Sequence, residues 1–107
     1  MEPDHIPEPR IAVLIPCYNE SSAIAGVVAD FKATLPTAEI YVYDNNSSDD
    51  TVAVAREAGA LIGVEHYQGK GHVVRRMFAD IDAGVYVLVD GDGTYDAASA
   101  PKMVELL

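Results

Sequence analysis

Four short apolar runs punctuate the chain: Ile11-Ala12-Val13-Leu14-Ile15, Ile40-Tyr41-Val42-Tyr43, Leu61-Ile62-Gly63-Val64 and Val85-Tyr86-Val87-Leu88-Val89. Their hydrophobicity is continuous rather than alternating, which predicts strands covered on both faces, as in a parallel sheet flanked by helices. The segments between them have helical period. Ala23, Ile24, Val27, Val28, Phe31 and Leu35 fall three and four apart, predicting a helix from near Glu20 to just before Pro36. A shorter helix is expected from about Asp49 to Ala58, with Ser47 and Asp50 at capping-box spacing and Gly59 as its stop. Val73, Val74, Met77, Phe78 and Ile81 repeat the amphipathic pattern, with Gly84 placed to close that helix. A last helix is expected to begin at Ser99, because Pro101 is tolerated in a first turn but not deeper.

Strand and helix therefore alternate, and right-handed crossovers make this an α/β, Rossmann-like, doubly wound and mainly parallel sheet. In such sheets ligands bind beyond the carboxyl ends of the strands. There the sequence places Pro16-Cys17-Tyr18-Asn19-Glu20, Asp44-Asn45-Asn46-Ser47 and Asp90-Gly91-Asp92. Three polar clusters converge on one rim. The last puts two carboxylates one residue apart where an apolar strand gives way to a loop. Hard cations such as Mg²⁺ or Mn²⁺ prefer such oxygens and commonly share their coordination with substrate phosphates. A solvated turn is the plain alternative, since Asp and Gly are ordinary turn residues.

Composition narrows the partners. Seventeen acidic against seven basic residues give a formal charge of −10, which argues against nucleic acid. Lys70, Arg75 and Arg76 are a local exception that could face phosphate or simply form a solvated helix face. Gly69-Lys70-Gly71 is neither a P-loop, lacking the spacing and the following Ser or Thr, nor a dinucleotide fingerprint, lacking the third glycine. As a helix entry it can still meet a phosphate through backbone N–H groups and charge. Cys17 is the single cysteine, which excludes an intrachain disulfide and suits a reducing cytoplasm. No apolar stretch is long enough to span a bilayer. Residues 1–10, acidic and proline-bearing without an apolar core, are expected to form a flexible arm, leaving 11–107 as one domain or part of one.

Residues 11–20 and Tyr43-Asp44-Asn45-Asn46-Ser47-Ser48-Asp49-Asp50-Thr51, followed by Gly69-Lys70-Gly71 and the Asp90-Gly91-Asp92 strand end, resemble in order and spacing family 2 glycosyltransferases of the GT-A fold. The likeness is to polyprenyl-phosphate sugar synthases such as dolichyl-phosphate mannose synthase, and it covers the nucleotide-binding half of such a domain. It implies transfer of a hexose from a GDP- or UDP-linked nucleoside diphosphate sugar, with a polyprenyl phosphate as acceptor and Mg²⁺ or Mn²⁺ as cofactor. The implied nucleotide-sugar contacts are Pro16, Tyr18, Asn19, Glu20, Asp44, Asn46, Ser47, Lys70, Asp90 and Gly91. Asp92 is implied as the metal ligand, with Asp90 touching ribose or the metal shell. Gly93 stands where the family often has a third polar or acidic residue, and His72 where a small polar one is expected.

The resemblance further implies a chain at the cytoplasmic face of the membrane, inactive or incomplete without an acceptor-binding half, and self-associating through its uncovered edge. Two other readings stay open. One is a non-catalytic nucleotide- or metal-binding module. The other is a haloacid-dehalogenase-type phosphatase, for which Val89-Asp90-Gly91-Asp92-Gly93-Thr94 would supply Asp90 as nucleophile and Asp92 as acid/base. That motif ordinarily opens its domain, whereas here it comes late.

Overall fold

The computed structural model describes residues 10–91. In chain order the elements are β1 (Ile11–Cys17), α1 (Ile24–Thr34), β2 (Glu39–Asp44), α2 (Thr51–Glu57), β3 (Leu61–Val64), α3 (Lys70–Asp80) and β4 (Val85–Leu88). The four strands form one sheet in the order β3-β2-β1-β4, with every pairing parallel. The chain steps outward from β1 through β2 to β3, then crosses back to place β4 on the other side of β1. Right-handed crossovers require helices on opposite faces for opposite directions of travel.

The core obeys that rule. Along β1, Val13, Ile15 and Cys17 point into a cluster with Ile24, Val27, Val28 and Phe31 of α1 and Ala55 of α2. Ala12 and Leu14 point the other way, against Val73 and Met77 of α3 and Tyr43 of β2. With Ala12 to Ile15 all fully buried, β1 is the central strand that its continuous apolar run requires. Each fully buried aliphatic side chain contributes about 1.5–3 kcal/mol of transfer free energy.

Several local expectations need correction. β3 and β4 are the sheet's edges among the described residues, and neither is covered on both faces: Leu61, Val64 and Leu88 are exposed at 49%, 46% and 48%. α1 begins at Ile24 rather than near Glu20, because Glu20 closes a turn in which its carbonyl accepts from Ala23 N and Ile24 N. The Ser47/Asp50 capping box does not form. Ser47 is used by the neighbouring loop, and Asp49 instead accepts from Thr51 N at 3.0 Å. Gly84 does not close α3: the helix ends at Asp80, Ile81 is already extended, and Gly84 N donates to Arg10 O at 2.8 Å.

Residues 1–9 of the expected arm and the helix expected from Ser99 lie outside the described residues. Arg10, assigned to that arm, is tied to the sheet, pairing with Glu39 and donating to the Tyr41 hydroxyl at 3.0 Å. Among the described residues no helix is long and apolar enough to cross a membrane.

Candidate nucleotide-binding cleft

The cleft opens where strand order reverses, between the carboxyl ends of β1 and β4, the position at which open α/β sheets take their ligands. It holds about 180 Å³ and is lined by Pro16, Cys17, Tyr18, Glu20, Asn45, Lys70, Val73, Asp90 and Gly91. Four separate chain segments thus meet in one place, and six of the residues singled out from the sequence are among them: Pro16, Tyr18, Glu20, Lys70, Asp90 and Gly91.

Across the mouth, Lys70 Nζ at the start of α3 pairs with Asp90 Oδ1 beyond β4. Both side chains are about half exposed, at 59% and 55%, so the pair sits in a high-dielectric setting and is readily exchanged for other partners. The other two basic residues of that segment turn elsewhere. Arg75 and Arg76 line a separate groove with Glu65, Tyr67 and His72, where Arg76 reaches Glu65 at 3.8 Å and Asp80 at 4.0 Å.

The remaining expected site residues form the scaffold beneath the rim. Asn19 and Asn46 hold left-handed backbone, with φ of 53° and 68°, a conformation asparagine tolerates better than most residues. Asn19 N donates to Ser47 Oγ at 2.9 Å, and Asn19 Oδ1 accepts from Ser48 N at 2.8 Å. Glu20 N donates to Thr51 Oγ1 at 2.9 Å and Ser21 N to Asp49 Oδ2 at 3.2 Å. These bonds stitch the loop after β1 to the loop after β2. Asn46 Nδ2 donates to His66 O at 2.8 Å, joining the loop after β3 to them.

Asp44 ends β2 and is 5% exposed. Its Oδ2 accepts from Ser47 N at 3.0 Å, whereas its Oδ1 is buried with no hydrogen-bond partner among the described residues. A buried carboxylate oxygen in that state is an acceptor waiting for a donor. Nearby, Cys17 is 2% exposed, and burial pushes its thiol up to about 12, with the charges of Glu20, Asp44 and Asp49 adding to the effect. A buried thiol of this kind behaves as a small apolar residue.

Asp92, the expected metal ligand, lies outside the described residues. Among those described, no group of three or more His, Cys, Asp or Glu side chains could enclose a metal ion. The described carboxylates that line the cleft are Glu20 and Asp90. A site with so few protein ligands fits a cation that completes its shell with phosphate oxygens and water.

Asn45, which the sequence places in the polar cluster after β2 but not among the implied nucleotide-sugar contacts, lines the cleft. It is 7% exposed and bonds to the backbone of the loop between β3 and α3. Nothing local marks it, since all of its partners lie twenty or more residues away.

A family model described as glycosyl transferase family 2 matches residues 12–107. Protein RfbJ of Shigella flexneri is 61% identical over 98 residues, covering 92% of this chain and 76% of that protein. Glycosyltransferase AglJ of Haloferax volcanii is 40% identical over 98 residues, covering 91% of this chain and 32% of that protein. A dolichyl-phosphate hexose transferase of the same organism is 36% identical over 98 residues, covering 91% and 42%. Among solved structures, glucosyl-3-phosphoglycerate synthase from Mycobacterium tuberculosis, in complex with Mn²⁺, UDP and glucosyl-3-phosphoglycerate, superposes with a TM-score of 0.81 at 25% identity, over 91% of this chain and 39% of that one. A mannosyltransferase from Pyrobaculum calidifontis, in complex with GDP-Man and Mn²⁺, shares the fold with a TM-score of 0.76 at 24% identity, over 87% and 30%. The chain therefore spans less than half of four of these five proteins. The parallel sheet is that of the GT-A glycosyltransferases, the Asp90 strand is fourth in the chain rather than first as the phosphatase reading needs, and the chain belongs to glycosyl transferase family 2.

Proposed function

We propose that this chain carries the nucleotide-sugar-binding part of a glycosyltransferase that moves a hexose from a GDP- or UDP-linked sugar to a polyprenyl phosphate at the cytoplasmic face of the membrane. The observation that carries the reading is the gathering of the Pro16 to Glu20 loop, Asn45, Lys70 and the Asp90-Gly91 turn around one cleft at the topological switch of the sheet. The Mn²⁺ complexes of the two structural relatives, with UDP and with GDP-Man, support the donor class and the cofactor. The dolichyl-phosphate hexose transferase relative supports the acceptor.

Each residue then has a role set by its chemistry. Asp44, through its unpartnered Oδ1, accepts a hydrogen bond from a base N–H or a ribose hydroxyl. Lys70 supplies positive charge to the diphosphate once it is released from Asp90. Tyr18, 54% exposed at the rim, offers an aromatic face to the nucleoside. Asp90 and Asp92 are the residues that would hold Mg²⁺ or Mn²⁺. That ion, when bound, supplies charge neutralisation to the departing nucleoside diphosphate.

Calorimetry with UDP, GDP and their hexose derivatives, in Mn²⁺ and in chelator, tests the reading. Binding in Mn²⁺ that is largely lost in chelator is expected, and equal affinity in both would remove the metal role. Asp44→Ala should weaken binding of the full nucleotide while leaving Mn²⁺-pyrophosphate nearly unchanged. Equal losses for both would move Asp44 to the diphosphate. Absence of binding to any of these nucleotides would overturn the reading as a whole.

A further inference from the structure

The side chain of Asn45 is spent on the backbone of a single segment. Its Nδ2 donates to Glu65 O at 2.8 Å and to Tyr67 O at 2.7 Å, and its Oδ1 accepts from Gly69 N at 2.8 Å. Its own backbone N donates to Cys17 O at 2.9 Å. One buried residue at the end of β2 therefore joins the end of β1 to the whole connection between β3 and α3.

That connection delivers Lys70. Gly69 stands at φ 123° and ψ 135°, a backbone conformation that L side chains rarely adopt, and Lys70 follows as the first residue of α3. No side chain caps this helix. Its entry angle is therefore set from outside the helix, and the Asn45 bond to Gly69 N is the side-chain contact that reaches its N-cap. A primary amide suits the task because it donates twice and accepts at once. Leucine would leave two carbonyls and an amide unmet, and a carboxylate could not donate to the carbonyls.

We infer that Asn45 is a positioning residue: by holding residues 65–69 it sets where Lys70 enters the cleft, and so how firmly the cleft grips a diphosphate. The inference rests on the reading of this cleft as a nucleoside diphosphate site. A merely structural role for Asn45 would lower stability without making its effect on ligand affinity depend on Lys70.

A double-mutant cycle separates the two. Affinities for UDP and GDP in Mn²⁺ are measured by calorimetry for the unsubstituted chain, Asn45→Ala, Lys70→Ala and the double variant, with melting temperatures as a check on folding. Asn45→Ala should weaken the tighter of the two nucleotides about tenfold. In the Lys70→Ala background the same change should cost less than about twofold. Asn45→Ser, which keeps one hydroxyl to bond the loop, runs through the same cycle as a milder probe and should show the same dependence on Lys70. Equal fold-losses in both backgrounds, or full affinity in Asn45→Ala, would overturn the positioning role while leaving the nucleotide site standing. Failure of the unsubstituted chain to bind either nucleotide would overturn the site reading itself, and the inference with it.

Discussion

Gly91 lies against Cys17 so closely that a Cβ placed on it would stand 2.6 Å from Cys17 Sγ, with Pro16 O and Glu20 Cγ each at 3.4 Å. The turn bearing Asp90 is thereby seated directly on the end of β1. Gly91→Ala should destabilise the chain by about 1–3 kcal/mol, the usual cost of overpacking a close contact. Cys17→Ala added to it should recover part of that loss by clearing the sulfur. Urea unfolding of the single and double variants measures both, and a double variant no more stable than Gly91→Ala would locate the clash elsewhere.

Lys70 and Asp90 neutralise one another across the cleft mouth. Lys70→Ala should raise the affinity of the chain for Mn²⁺ alone, by no more than about fivefold given how exposed the pair is, because Asp90 loses a competing cation. The same variant should bind UDP or GDP in Mn²⁺ more weakly. Calorimetry reads both, and a loss of affinity for Mn²⁺ alone would show that Lys70 supports the metal site rather than competing for it.

Asp49 bridges two loops, accepting from the hydroxyl and backbone N of Thr51 and from Ser21 N. The Thr51 hydroxyl above all, helped by the Thr51 amide and by Ser21, holds its carboxyl down to about 2 from an ordinary 3.8. The folded pKa is depressed, so the contribution to stability is complete above pH 3.8 and disappears as pH falls through about 2. Asp49→Asn should melt at lower temperature than the unsubstituted chain at pH 6, and the gap should close on acidification towards pH 2. A gap that stays constant with pH would mean that the carboxylate's charge plays no part.

At the alkaline end the signs reverse. Burial raises the Cys17 thiol from 9.0 to about 12, and burial together with the hydroxyl's bond to Asp80 raises Tyr43 from 10.0 to about 12. Both folded values exceed the unfolded ones, so their stabilisation is complete below pH 9 and is lost as pH climbs towards 12. Melting temperature should fall steadily over that window. Cys17 should resist a thiol reagent at pH 8 in the native chain and react at once in urea. Rapid native labelling would show that the end of β1 opens readily.

The apolar runs, the helical stripes and the three polar strand ends are local patterns, and hydrophobic periodicity and turn chemistry sufficed to read them as a parallel α/β sheet with a site on one rim. Ile11 to Ile15 needed no tertiary information to be read as a strand covered on both faces, and the polar clusters around Glu20, Asp44 and Asp90 were visible as chemistry in the chain itself. That β1 is central was decided by strand order. What periodicity does not carry is pairing between distant residues. Leu61 to Val64 reads as a covered strand until strand order makes it an edge, and Ser47 reads as a helix cap until Asn19 N, 28 residues away, claims its hydroxyl. Asn45 shows the limit most plainly: beside Asp44 it looks like a second turn residue, yet its side chain reaches residues 20 to 24 positions further on and holds the loop that brings Lys70 to Asp90. Such bonds depend on which backbone groups are left without partners once the strands have paired, and that is decided only when the sheet is assembled.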